Sequence, residues 1–196
     1  MSEPIFGNFR GKVVDNNDPE QKGRIKVEIY PYFHNVKAEY LPWSVPASPL
    51  FCGAGVGLGN FSVPEVNSFV WCFFEAGNLY QPVYFAEAPD FVHIIGDEKS
   101  TNYPKRKILK TSSGLLIIID DEVPSISLTY ENGIGVIIDQ SVPFVSITHV
   151  GGTSIVVNAA IPSIDITHPG GASMSVDAAG NISITGTTVN INPPAS

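Results

Sequence analysis

Apolar and polar residues alternate in short runs along this chain, and in its second half the alternation repeats. Residues 113–133 read SGLLIIIDDEVPSISLTYENG, and the same outline returns three times before residue 196. Gly114, Gly133, Gly152 and Gly171 stand 19 residues apart, as do Asp120, Asp139, Asn158 and Asp177. Pro124, Pro143 and Pro162 keep the same step, and the fourth copy carries a Gly180-Asn181 turn one residue shorter. A fixed period with matched turn residues marks a repeat architecture.

Each copy predicts two short strands. In the first strand the alternating apolar positions are Ile117 and Ile119, Val136 and Ile138, Ile155 and Val157, and Met174 and Val176. In the second they are Ile126 and Leu128, Val145 and Ile147, Ile164 and Ile166, and Ile182 and Ile184. A last short strand, TVNIN, puts Val189 and Ile191 in the same role. The two-residue period sends these side chains to one face and Ser127, Ser146, Asp165 and Ser183 to the other. Gly, Asp and Pro at the joints let the chain reverse.

A meander with one apolar face must have that face covered. The sequence offers no helices and no second sheet of similar size for this. The predicted solution is three chains turning their apolar faces to a common axis, giving a trimeric interwound β-helix, or β-prism. Its interior would be Ile and Val, and its exterior Ser, Thr and Asp. Each of roughly 18 inward aliphatics contributes about 1.5–3 kcal/mol on burial, enough to couple assembly to folding. Interwinding would also remove open strand edges. A single-chain solenoid fits the same period.

The first half predicts a small barrel. GKVVDNND and GRIKVEIYPYF are strands bridged by an Asp18-Pro19-Glu20 turn. LPWSVPA and SFVWCFFEAGNLYQPVYFAEA supply later strands, the last two joined at Ala76-Gly77-Asn78. Short strands with turn signals between them fit a five-stranded OB-like barrel, and other small barrels would give the same pattern. The fold class is all-β, since no amphipathic helix of three turns is present. Residues 1–95 form the barrel domain, 96–111 a linker, and 112–196 the repeat domain.

Composition supports this division. Gly and Pro number 18 and 16, and 43% of residues are hydrophobic, which favours strands, turns and a folded core. The net charge of −8 is uneven: residues 1–111 hold all 11 basic residues against 12 acidic ones, and residues 112–196 hold 7 acidic residues and no Lys or Arg. A second half without Lys or Arg argues against nucleic acid or anionic lipid as its partner. Apolar runs such as Leu115 to Ile119 are too short to span a bilayer. No secretion signal is recognisable, so folding in the cytoplasm is expected. Cys52 and Cys72 make no disulfide framework, and Cys72 inside SFVWCFFE reads as a buried thiol.

Candidate chemistry is sparse. The loop FCGAGVGLGNFSVPE lacks the Lys-Ser/Thr of a phosphate cradle and reads as a flexible connection. Asp120-Asp121-Glu122 could suggest paired carboxylates, but Asp120 occupies a repeat position and is expected to cap a turn. Glycosidase chemistry needs two carboxylates across a cleft, which a smooth prism lacks. The 19-residue period also differs from the nine of calcium-binding rolls. His149 and His168 stand one repeat apart, so three copies of either could gather a metal or anion near an axis; Tyr130 holds the equivalent place in the first copy. Trp71, Phe73 and Phe74 would need a basic groove to serve as a base-stacking platform, and core packing is the expected role. No catalytic residue, fixed metal site or cofactor is expected.

Gly11, Val14, Asp18-Pro19, Gly23-Arg24 and Val27, then Leu41-Pro42-Trp43, Val70-Trp71, Phe74-Glu75, Gly77 and Pro82-Val83, resemble the hub domain of contractile-tail central spike proteins. These include the phage baseplate assembly protein V family, tail-associated lysozymes and the valine-glycine repeat proteins of type VI secretion. YPKRKILKTSSGLLIIIDDE is similar to that family's crossover from barrel to spike. The resemblance implies a homotrimer whose barrels form a collar below the tail tube and hub proteins. The prism would then be a needle driven through the target cell envelope, in a virion tail baseplate assembled in the host cytoplasm. Gly11, Asp18, Pro19, Gly23, Arg24, Trp43 and Trp71 become hub framework residues, with Arg24 a candidate to pair an acid across an interface.

The chain departs from the family's patterns in two places. Only about 20 residues (91–111) separate barrel from repeat, leaving no room for the lysozymes' inserted enzyme. The ending NINPPAS lacks a His-X-His tip, implying a separate conical tip protein. A rival reading is an OB-type binding module on an adhesin-like trimeric stalk that recognises glycan or protein. A third is a polysaccharide-cleaving β-helix.

Overall fold

A computed structural model describes residues 3–49, 53–130, 133–140 and 144–189. The chain divides into two units, Met1–Ile94 and Ile95–Ser196.

In the first unit β1 (Phe9–Asp15), β2 (Ile25–Ile29), β3 (Trp43–Pro46), β4 (Phe69–Phe74) and β5 (Pro82–Glu87) close into a barrel of order β1-β2-β3-β5-β4. The β3–β5 pairing is parallel and the others are antiparallel. This is the OB-like barrel expected from the strand pattern. Alternate residues turn inward, so Val13, Ile25, Val27, Ile29, Val70 and Phe74 make the core. Cys72 is fully buried among them, and burial pushes its thiol up to about 12. It is the inert packed thiol that the sequence suggested.

The same alternation corrects the expectation for two aromatics. In β4 only Phe74 of the Trp71-Phe73-Phe74 set is core, because Val70, Cys72 and Phe74 share the inner face. Trp71 and Phe73 fall on the outer face, half-buried. The Arg10 guanidinium lies 5.7 Å from the Trp71 ring, and Phe73 packs 6.0 Å from Phe85. A two-residue period cannot bury neighbours of opposite parity.

The second unit is an open sheet of nine strands in sequence order, β6 (Arg106–Lys110), β7 (Leu115–Asp120), β8 (Ser125–Tyr130), β9 (Gly135–Asp139), β10 (Phe144–Thr148), β11 (Ser154–Asn158), β12 (Ser163–Thr167), β13 (Ser173–Val176) and β14 (Ile182–Thr185). Every pairing is antiparallel.

Three details differ from expectation. Residues 96–111, read as a linker, contain β6, which pairs along its length with β7 from Arg106↔Asp120 to Lys110↔Leu116. Its charges hid the strand, and partners on the sheet neutralise them: Arg106 pairs with Asp120, and Lys107 with Asp121. Where an interwound path was expected, β7 to β13 each bond to neighbours of their own chain on both sides. The sheet is a plain meander. Finally, Val189 of the TVNIN segment lies in no strand, and Ile191 lies outside the described residues.

The glycine column has a backbone reason. Gly114, Gly133, Gly152 and Gly171 all take φ between +83° and +87°, a region that L side chains adopt at a cost. In the two fully described later copies, Gly152 N–H donates to the His149 carbonyl and Gly171 N–H to the His168 carbonyl. Each turn is then closed by a bond from the His N–H to Thr153 or Ala172. This is a tight turn ending in a left-handed residue, a common hairpin closure.

Candidate functional site

The repeat's apolar positions assemble into one feature, a two-column ladder across the sheet. The first column runs Ile117, Leu128, Val136, Ile147, Ile155, Ile166, Met174, Ile184 by direct cross-strand pairing. The second runs Ile119, Ile126, Ile138, Val145, Val157, Ile164, Val176, Ile182 through the same pairings. Register holds at every step because a one-residue slip would move a strand's whole apolar set to the other face.

The first column continues onto β6 at Leu109, which the linker reading missed; the signal was the alternation in KILK. The second column ends there at Lys107. Within one chain the ladder is uncovered. Ile126 is 50% exposed, Ile138 49% and Ile182 64%, while Ile117, Val136 and Val176 are half-buried. Between Leu128, Val136, Ile147, Tyr130, Leu115 and Ile134 the face carries an apolar hollow of about 170 Å³.

The opposite face is mixed rather than wholly polar. Its central column runs Ile118, Ser127, Ile137, Ser146, Val156, Asp165. Aliphatics from the first strands of the first three copies alternate with small or polar residues from the second strands, and the fourth copy places Ser175 there. The larger neighbours shade the hydroxyls, so Ser146 is buried while Ile147, next in the chain and on the other face, is exposed. Sequence alternation had placed the serines here, but not the aliphatics between them.

The margins of the sheet hold the repeat's polar residues. On one margin, Asp120 Oδ1 accepts the N–H of Glu122 and Val123, Asn158 Oδ1 accepts those of Ala160 and Ile161, and Asp177 Oδ1 accepts those of Ala179 and Asn181. Asp120 is therefore a turn cap, as its repeat position suggested. On the other margin, His149 Nδ1 accepts the Gly151 N–H at 3.2 Å and His168 Nδ1 accepts that of Gly170 at 3.0 Å. The two histidines expected near an axis thus sit at exposed turns, outside both apolar columns. Among the described residues no group of three or more His, Cys, Asp or Glu is placed to hold a metal.

Asp120 does more than its counterparts. It is buried, and its Oδ2 accepts from Asn102 Nδ2 at 2.9 Å and Arg106 Nε at 3.0 Å. Burial pushes its carboxyl up, but the donors of Asn102, Val123, Arg106 and Glu122 outweigh this and hold it at about 2. The first unit has a parallel lock. Arg24 reaches Asp18 through Nη2 at 2.6 Å and Nε at 3.1 Å, and the backbone N–H groups of Glu20, Lys22 and Arg24 also point at Asp18. The Arg24 guanidinium, then opposing burial, then those N–H groups set the Asp18 carboxyl well below the usual range.

Several framework residues expected from the sequence meet around this lock. Pro19 opens the turn, and Arg24 lies 5.5 Å from the Trp43 ring. The Gly23 carbonyl accepts the Tyr84 hydroxyl at 2.6 Å. Arg24 pairs with Asp18 and Glu20 of its own chain. Trp71 and Gly11 lie elsewhere, on the barrel's outer face and in its core.

Depressed carboxylates contribute stability above their unfolded values, near 3.9, and lose it as the pH falls toward the folded value. Thermal midpoints of the whole chain should therefore drop between about pH 4 and pH 2. Asp18→Asn and Asp120→Asn should each reduce that slope when melting is followed by circular dichroism. An unchanged slope in both variants would show that these pairs carry no pH-linked stability.

Residues 9–87 match the family model of the type VI secretion system/phage-baseplate injector OB domain. The matched span opens on β1 and closes on β5, and it bears out the resemblance over the barrel. No curated protein matches the chain.

Proposed function

We propose that the chain, whose residues 9–87 match the injector OB domain model, is the central spike of a contractile injection machine and works as a homotrimer. The barrel supports a structural role in a phage or type VI secretion assembly. The observation that carries the finer reading is the unbroken aliphatic ladder, left uncovered along nine strands. Three such sheets facing one axis make a β-prism whose three faces are one chain each. Ser, Thr and the shaded aliphatics of the other face would form its outside.

The action is mechanical. Hydrogen-bonded ladders around a close-packed aliphatic core resist bending, so force from a contracting sheath passes along the shaft into the target envelope. Nine strands at about 4.8 Å spacing give a shaft of roughly 40 Å. The collar would meet tail tube and hub proteins, and a separate tip protein would close the apex. The setting is the tail baseplate of a virion or a related machine.

Light scattering coupled to size exclusion of the full chain tests this. The expected mass is three times 21.0 kDa. A folded monomer would overturn the spike reading. A trimer that binds glycans through its barrel and does not join tail tubes would transfer the assignment to an adhesin-like stalk.

A further inference from the structure

The two margins of the sheet differ in kind. One carries Asp120, Asp121, Glu122, Asp139, Asn158 and Asp177, which include five of the seven acidic residues beyond position 111. Of the other two, Asp165 lies mid-strand, and Glu131 falls among residues outside the description. The opposite margin carries Thr111, Tyr130, His149 and His168, the i positions of the glycine turns. No Lys or Arg follows residue 110, and the two histidines bring ring N–H donors to this margin.

Cyclic symmetry of three identical sheets cannot place like margins together. A three-fold axis makes every contact heterologous, so the left side of one chain always meets the right side of the next. It also leaves all chains at the same height along the axis. In a meander the turns of the two margins alternate in height by one strand spacing, about 4.8 Å. The His149 turn, between β10 and β11, is level with the gap between the Asp139 and Asn158 turns. The His168 turn is level with the gap between the Asn158 and Asp177 turns.

Resting on the trimeric reading, we propose that these margins are the intersubunit seam. His149 of one chain sits between Asp139 of the partner subunit and Asn158 of the partner subunit, and His168 sits between Asn158 of the partner subunit and Asp177 of the partner subunit. The bond from each turn's Gly N–H occupies Nδ1 and fixes the ring, so the edge bearing Nε2–H is the one presented to the neighbouring carboxylate or amide. The acid margin accepts and the histidine margin donates. The histidines thereby gain a role in joining chains, and donor–acceptor complementarity adds a rule of orientation to a core that only demands burial.

The test uses cysteines in full-length protein with Cys52 replaced by serine. One variant carries His149→Cys and Asn158→Cys, a second carries His168→Cys and Asn158→Cys, and each single change serves as a control. Trimer size is confirmed by light scattering, and a short bismaleimide is then added. Both double variants should give covalent trimers on denaturing gels. The single variants should not, because a three-fold axis sends equivalent cysteines to different corners. Trimers that fail to cross-link in the double variants, or cross-link equally in the singles, overturn the seam and leave the spike reading standing. A monomeric parent protein overturns the spike reading first.

Discussion

Val157→Asp is expected to abolish the trimer and leave the chain monomeric or aggregated in light scattering. Val157 lies mid-ladder, paired with Val145 on one side and Ile164 on the other, and is 43% exposed in the single chain. Three faces closing on one axis would bring three carboxylates into an aliphatic interior with no cation. Removing each charge from water costs several kcal/mol, and their mutual repulsion adds to it. The neighbouring Val156→Asn change is the control. Val156 belongs to the opposite face, between Ser146 and Asp165, so an amide there meets polar neighbours and the trimer should persist. Equal trimer yields from the two variants would contradict the inward assignment of the ladder.

Gly11→Ala is expected to destabilise the barrel by about 1–3 kcal/mol, as overpacked cores do. Gly11 is buried on β1, between Ile29 and Val70 in register. A Cβ there would stand 2.2 Å from Val27 Cγ1 and 3.2 Å from Ile29 Cγ1. Val27 cannot retreat, since it is 2% exposed and packed within the closed barrel. For a unit of this size each kcal/mol lowers the midpoint by about 4–8 °C. Calorimetry of the full chain should show the loss in the barrel transition, with the sheet transition unmoved. A wild-type barrel midpoint would mean that the crowding is relieved by backbone shifts.

The repeat was readable because its signals are local. A 19-residue step in Gly and Asp needs only turn geometry to explain it, and the turns bear this out at Gly152 and Asp120. Ladder partners followed from parity alone, since in-register hairpins align one copy's apolar pair with the next. Gly11, Asp18, Gly23 and Arg24 were likewise recognisable as framework. Strand β6 was not, because the segment holding Lys105, Arg106, Lys107 and Lys110 reads as linker, and only the fold sets Asp120, Asp121 and Glu98 beside Arg106, Lys107 and Lys110. Trp71 and Phe73 looked like core residues for a related reason: apolar character was plain, but the side of the barrel wall depended on register with β1 and β5.

Residue order along the chain was thus enough to establish strands, turns and the existence of a single apolar face, because periods of two and 19 are properties of neighbours in sequence. Folding in three dimensions settled what neighbours in space decide. It set Arg24 on Asp18 and Arg106 on Asp120, and it drew the chain's own sheet as a meander. It also placed His149 and His168 at exposed turns on one margin of that sheet. Charges and aromatics take their roles from whatever lies opposite them, and that is fixed only when distant strands meet.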